Sequence, residues 1–262
     1  MQCKICNARA ASAFTAKILG KYDAVYFRCG ACGFMQTEEP HWLAESYASA
    51  IYDCDLGPVN RAITSSRLIE GLILSAFDST AKFVDYGAGY GVLVRLMRDR
   101  GFNFYWHDVY CQNLFAKHFV AVPGTKFELL TAFEVFEHLV DPLSEIKSML
   151  DYSDNLLLST LLVPQRVQTA TDWWYFAPEH GQHVAFYTVE ALQVVARIFK
   201  LHLCTDGIGT HLLSRKQISN RLFQFFVRET LACQMARRLL RTRMRKKSLL
   251  PDDVHAVSGH RI

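Results

Sequence analysis

Residues 83–101 read FVDYGAGYGVLVRLMRDRG, and this stretch decides the fold. The β-branched and aromatic run from Lys82 to Tyr86 predicts a strand, and Gly87, Gly89 and Gly91 form a G-x-G-x-G turn. A helix is predicted from Tyr90 to Arg100, closed by Gly101. Glycines at the start of a helix let a ligand press against backbone N–H groups. The details of the turn narrow the ligand. A dinucleotide fingerprint needs glycine at position 92, or at 94 in the shifted register, and both are valine. Asp85, two residues before the first glycine, would repel a pyrophosphate. It suits a ligand that carries an ammonium group and a sulfonium.

S-adenosylmethionine (SAM) is such a ligand. D-x-G-x-G-x-G after a strand resembles motif I of class I SAM-dependent methyltransferases, and the order of later elements agrees over residues 80–214. FNFYWHD (102–108) reads as the second strand, and the resemblance gives its Asp108 the ribose hydroxyls. KFELLTAFEVFEHLVDP (126–142) resembles the fourth strand and its turn, with E-H-L-x-D-P at Glu137, His138, Leu139, Asp141 and Pro142. At that strand's end the resemblance implies cofactor contacts from Phe133 and Glu134, and it makes Glu137 and His138 a structural pair on the cofactor side. NLLLSTLLVPQ (155–165) reads as the fifth strand, 188–199 as a helix and 201–216 as a final antiparallel pair. The implied fold is α/β, a Rossmann-like, doubly wound, mostly parallel sheet of the seven-stranded methyltransferase type. Alternation of strands and helices argues for the same class independently. The chain departs from the family at two places: the third strand is cut down to HFVAVPG (118–124), and Glu128 stands where an aspartate opens the fourth strand.

Ahead of this domain, Cys3-x2-Cys6 and Cys29-x2-Cys32 offer a tetrahedral four-thiolate site for structural Zn2+, with no open coordination position. Cys54, Cys111, Cys204 and Cys233 stand alone and read as packing residues. A four-cysteine region leading into a SAM domain is similar to deoxysugar C-methyltransferases and related enzymes acting on activated sugars. In those enzymes a Glu-His pair after the fifth strand does general base work, and the matching residues are Glu179 and His180, within WWYFAPEHGQHVAFYT (173–188). The wider pattern H-x3-[FY]-T fits His183, Tyr187 and Thr188, the last as a helix N-cap. A histidine near neutral pKa is the natural acceptor for the proton that an oxygen or carbon nucleophile must lose. His180 and His183 are both candidates, with Glu179 orienting one of them. Trp173, Trp174 and Tyr187 are candidate substrate walls, and a core anchor is an equal reading for at least one tryptophan.

The net charge of +4 is unevenly spread: from position 215 to 247 eleven Lys or Arg stand against Glu229 alone, which leaves the rest of the chain net acidic. Within that stretch Leu222, Phe226, Leu231, Met235 and Leu239 recur at helical spacing opposite an arginine-rich side. Such a basic amphipathic helix can pack on the body or on another subunit, lie on an anionic membrane, or grip a polyanionic substrate. The end beyond Ser248 reads as loose apart from a tether at Leu249 and Leu250. Helices are expected over 40–52 and 59–77. The organisation expected is a zinc-ribbon head (1–40), a helical lid or linker (41–79), the SAM domain (80–215) and the basic helix with its tail (216–262). Apolar runs are too short to span a bilayer and no leader is visible, so the expected compartment is cytoplasmic. The expected activity is SAM-dependent O- or C-methylation of a sugar, activated sugar or other small polar metabolite. Two alternatives stay open: a nucleic-acid (RNA) methyltransferase, suggested by the zinc ribbon and basic helix, and a non-catalytic binding module that keeps the fold.

Overall fold

The computed structural model of the chain describes residues 1–47 and 57–260. In chain order its elements are β1 (Ala10–Ile18), β2 (Tyr22–Cys29), β3 (Met35–Thr37), α1 (Leu43–Ser46), α2 (Pro58–Ala76), β4 (Lys82–Tyr86), α3 (Val92–Asp99), β5 (Asn103–His107) and β6 (Leu129–Phe133). There follow α4 (Pro142–Tyr152), β7 (Asn155–Ser159), β8 (Ala185–Phe186), α5 (Val189–Phe199), β9 (His202–Thr205), β10 (Thr210–Ser214), α6 (Asn220–Val227), α7 (Leu231–Arg243) and α8 (Leu250–Ser258). The part of the expected 40–52 helix past Tyr47 lies outside the described residues, as do Tyr52 and Cys54. Among the described residues no helix is long and apolar enough to cross a membrane.

One sheet has the order β5-β4-β6-β7-β10-β9, with β4 parallel to both β5 and β6 and β9 antiparallel to β10. This is the mostly parallel Rossmann-like sheet that the alternation predicted. Phe83, Val84 and Asp85 of β4 are buried, the pattern of a central strand covered on both faces. The shortened third strand is reduced to one parallel bridge between Trp106 and Val120. It is closed by Trp106 N–H to the Phe119 carbonyl at 2.7 Å and Ala121 N–H to the Trp106 carbonyl at 2.8 Å.

The chain packs into two compact units. The first comprises residues 1–52, 133–148 and 157–216. Its second sheet, β1-β2-β3-β8, is built on a tight hairpin in which Leu19 (φ 53°) and Gly20 (φ 70°) both take the left-handed conformation that two-residue turns favour. β8 comes from the stretch after β7 and pairs with β3 in the register Met35↔Phe186 and Gln36↔Ala185. Ile18, Tyr26, Met35, Trp42, Tyr175, Phe176 and Phe186 share one core, so most of the aromatic loop is packing.

The second unit comprises residues 53–132, 149–156 and 217–262. Here the tail departs from expectation in two ways. A single basic helix is replaced by α6 and α7, because Glu229 turns left-handed (φ 48°) and Thr230 caps a new helix by accepting the Cys233 N–H. The packed side of α7 is also the charged one. Arg241 and Arg237 reach the buried Glu70 of α2 at 2.6 and 3.7 Å, with Arg100 at 2.7 Å, while Leu231, Met235 and Leu239 are 63–73% exposed. A buried carboxylate needs paired charge more than a surface leucine needs cover. The end of the chain is not loose either: α8 places Asp253 in a bidentate pair with Arg98 at 2.6 and 2.9 Å.

Candidate functional site

The glycine turn belongs to the second unit. Gly87, Gly89 and Gly91 all have positive φ (68°, 54° and 87°), and Gly91 is the N-cap of α3. Asp108, at the end of β5, ties the turn down. Its Oδ2 accepts the Gly89 N–H at 2.8 Å, and its Oδ1 accepts the N–H groups of Tyr110 and Cys111 at 2.7 and 2.9 Å. Two oxygens holding three donors keep acceptor capacity for a hydroxyl. Asp85 is 4% exposed and takes one hydroxyl hydrogen bond, from Thr131 at 2.6 Å. Burial, opposed by that bond and aided by the charge of Asp108, pushes its carboxyl up to about 7.

Two observations fit this turn to SAM. A buried carboxylate held by one hydroxyl is stabilised by an arriving ammonium, and a Cβ built on Gly89 would meet nothing within 4 Å, so the protein leaves that backbone open to a ligand.

The remaining expected residues lie in the first unit. Phe133 ends β6, and Glu134 follows it with φ 53°, a strained conformation for a non-glycine residue. Ser159 fixes it: the hydroxyl donates to Glu134 Oε1 at 2.5 Å and accepts the Glu134 N–H at 2.9 Å. Glu137 and His138 sit in the next turn, and His138 comes within 4.9 Å, ring to ring, of His183, which in turn is 5.0 Å from His180. Three histidines and a buried carboxyl therefore meet in one place. The pairing of position 138 with 183 escapes sequence reading because no local spacing links them.

The three rings differ in setting. His183 donates Nδ1–H to the Tyr175 carbonyl at 2.6 Å, which leaves the lone pair on Nε2. Burial, then the neighbouring His138, holds it well below the usual histidine range. His138 meets the Tyr47 hydroxyl through Nδ1 at 3.1 Å and is pushed down to about 4, by burial and then by His180. His180 is partly exposed, with the Gln182 N–H at 3.4 Å from its Nδ1. Glu137 is fully buried, and neither carboxyl oxygen has a hydrogen-bond partner among the described residues. The hydroxyls of Tyr175 and Thr160 face it without closing a bond, and burial followed by the charge of Glu134 pushes it up to about 8.

Gly181, between His180 and Gln182, has φ 67° and lies against the hairpin side: a Cβ there would sit 2.6 Å from Ile18 and 2.8 Å from Ser46. Only glycine lets the histidine loop lie this close. Glu179 is exposed, and its charge is felt at the Tyr26 hydroxyl. Trp173 is an anchor against Phe176 and Phe186, whereas Trp174 is 74% exposed. Tyr187, expected as a substrate wall, is fully buried between Phe34 and Phe136 and donates its hydroxyl to the Phe136 carbonyl at 3.2 Å. Its ring presents no face to a substrate in this structure. Thr188 accepts the Ala191 N–H at 3.0 Å as the N-cap of α5 and also donates to the Cys32 carbonyl at 2.6 Å.

The four cysteines converge as the spacing predicts. Cys3 and Cys32 sulfurs are 3.7 Å apart, those of Cys6 and Cys29 3.4 Å, and all four lie within 4.8 Å of one another. A tetrahedral zinc with Zn–S of about 2.3 Å has sulfur–sulfur edges of about 3.8 Å, so the cluster fits the ion. Backbone N–H groups of Ile5 and Ala31 point at the sulfurs of Cys3 and Cys29, each at 3.4 Å, as in a thiolate knuckle.

Comparison with known proteins agrees with this geometry. Residues 62–200 match the family described as methyltransferase domain, and the chain belongs to that family. It is a SAM-dependent methyltransferase, with SAM as its cofactor and a four-cysteine cluster that fits zinc. Among solved structures, similarity is seen to the plantazolicin methyltransferase BpumL in complex with a monoazolic desmethylPZN analog and SAH, at 13% identity and TM-score 0.45, covering 75% of this chain and 87% of that one. Human N-acetylserotonin methyltransferase in complex with SAM is similar at 13% identity and TM-score 0.42, over 59% of this chain and 52% of its own. An O-methyltransferase family protein from Burkholderia thailandensis is similar at 12% identity and TM-score 0.44, over 62% and 58%. With every one of these TM-scores below 0.5, the assignment comes from the domain match. No curated protein matches the chain.

Proposed function

We propose that the protein transfers the methyl group of SAM to an oxygen or carbon of a sugar, an activated sugar or another small polar metabolite, with His180 as the general base. One observation carries this reading: three histidine rings, of residues 138, 180 and 183, meet at 4.9 and 5.0 Å around a buried carboxyl. When bound, SAM supplies a methyl group already activated on a sulfonium. What remains for the chain is to hold the cofactor, place the acceptor and remove its proton.

Asp85 and Asp108 are the residues for the ammonium and ribose, with Gly87, Gly89 and Gly91 giving backbone access, and Phe133 and Glu134 as further cofactor contacts. His180 suits the base because it is half-buried and stands in the Glu-His pair, while His138 and His183, half-buried like it, are held neutral by desolvation. Glu179 adds negative charge beside it in the chain, and Trp174 offers an exposed ring for a sugar or other flat face. The arginines of α7 that point at Glu70 are already paired, which weakens a nucleic-acid reading based on that helix. Incubation of the zinc-loaded protein with methyl-labelled SAM and a panel of sugar nucleotides, free glycans and RNA tests the proposal. Label should enter a small polar product. Transfer to RNA alone, or to nothing while SAM binds, would refute it.

A further inference from the structure

Glu137, His138 and His183 are the side chains of the cluster that the proposed reaction does not use. The Glu137 carboxyl is fully buried, and neither oxygen finds a hydrogen bond among the described residues. A buried carboxyl in that condition is costly unless something pairs with it. The groups facing it are the hydroxyls of Tyr175 and Thr160, which close no bond with it, and two imidazoles. Glu137, His138 and His183 each offer one donor atom, and these atoms all lie within 4.8 Å of one another. Donors about 2.1 Å from a tetrahedral ion stand about 3.4 Å apart, so closure around an ion asks a donor pair at the widest separation to draw together by about 1.4 Å.

We propose that Glu137, His138 and His183 hold a divalent transition-metal ion, a second metal site distinct from the four cysteines. The support around the ligands is the kind such a site needs. His183 donates Nδ1–H to the Tyr175 carbonyl at 2.6 Å, which fixes the ring and turns the other nitrogen's lone pair to ligation. The rings of His138 and His183 stand 4.9 Å apart and nearly perpendicular, at 85°. Glu134 stands one turn away, anchored by Ser159. Two imidazoles with one carboxylate favour manganese, iron, cobalt or zinc over magnesium or calcium, and three protein ligands leave positions open for a substrate oxygen. The cysteine site is the opposite, soft and closed.

The inference deepens the methyl-transfer reading and rests on it for its purpose. An ion held there binds the acceptor hydroxyl and acidifies it. The proton passes to His180, whose ring is 5.0 Å from His183; the oxygen lone pair forms the new C–O bond, and the C–S electron pair stays on sulfur. The acceptor class narrows to molecules with a hydroxyl that can reach a metal, such as a sugar diol or a hydroxy acid.

The test is metal binding by the full chain with zinc in its four-cysteine site and with neither SAM nor acceptor present. Mn2+ titrated in and followed by its electron paramagnetic resonance signal should bind at one further ion per chain. Co2+ should give d–d bands of a nitrogen and oxygen site without thiolate charge transfer. Glu137→Gln, which keeps the shape of the side chain, should weaken Mn2+ by at least about tenfold while SAM affinity and near-ultraviolet circular dichroism stay unchanged, and His183→Ala should do the same. No Mn2+ or Co2+ beyond the cysteine site at millimolar metal, or binding indifferent to Glu137→Gln, would overturn the proposal. Because the readout needs no turnover, a protein that binds the metal but transfers no methyl group would refute the methyl-transfer reading and leave the site standing.

Discussion

The turn after β4 and the loop after β7 both follow a parallel strand, yet they are made in opposite ways. The first is a backbone device: three glycines at fixed spacing, a helix start, and one aspartate at 2.8 Å from the middle glycine. The second is a side-chain device in which a histidine loop is pressed onto the first hairpin, and its partners come from positions as far apart as 47, 138 and 183. A backbone device carries its spacing in the sequence. A side-chain cluster gathered from distant segments shows itself only after folding.

Breaking the zinc site should separate the two regions most forcefully. Cys29 ends β2, and Thr188 binds the carbonyl of Cys32, so a zinc held by the four cysteines would anchor both the first hairpin and the segment that supplies β8. Chelation or Cys29→Ser should remove stabilisation on the order of 10 kcal/mol from this sheet. Hydrogen exchange should then show protection lost first over 10–37 and 184–187, and later around the glycine turn. Simultaneous loss everywhere would mean the two units do not differ in this way.

Asp85 sharpens the contrast from the other side. Its folded pKa of about 7 lies above the ordinary 3.8, so the unfolded chain ionises first, and the SAM-free protein loses stability as pH rises from about 4 through 7. Asp85→Asn should remove that fall and, without cofactor, stabilise the protein by a few kcal/mol, about 1.4 per pKa unit, above pH 7. With cofactor the sign reverses. The ammonium needs the ionised form, so SAM affinity should tighten as pH rises through 7, and the asparagine variant should bind about 10- to 100-fold more weakly with a flat profile. Calorimetry across pH 5.5 to about 8.5 checks both, covering both sides of that titration.

Two glycines give a smaller and cleaner test. Gly181→Ala brings a Cβ to 2.6 Å from Ile18 and should cost about 1–3 kcal/mol in thermal unfolding with little change in SAM affinity. Gly89→Ala meets nothing within 4 Å, so its stability loss should be about 1 kcal/mol while SAM binding falls by more. The smallest effect is at Trp174, 74% exposed: Trp174→Ala should leave melting unchanged and raise the acceptor KM by up to about tenfold.

The same contrast explains what was legible in the sequence. β4 and α3 lie within two residues of where the strand pattern and the glycines placed them, β5 and β6 fall inside the stretches that the family resemblance marked, and the paired cysteines converge because a C-x2-C turn is local. Thr188 was legible as an N-cap for the same reason. What escaped depends on partners far along the chain. Tyr187 has the pattern of a site residue but fills a gap between Phe34 and Phe136, and Trp173 serves the core while its neighbour faces out. In α7 the helical spacing is legible but the face that packs is not, because the buried Glu70, about 170 residues earlier, draws the arginines inward. Glu137 and His138 were visible as a motif, but their meeting with His183 was not.

The central claim is that one region holds the cofactor and the other works on the acceptor's proton. Measuring SAM affinity and single-turnover methyl transfer together for His180→Ala tests it most directly. The account predicts SAM affinity within about twofold of the parent and transfer slowed by about 100- to 10,000-fold, the range of a lost general base. Unimpaired transfer would contradict it, and so would loss of SAM binding in step with activity.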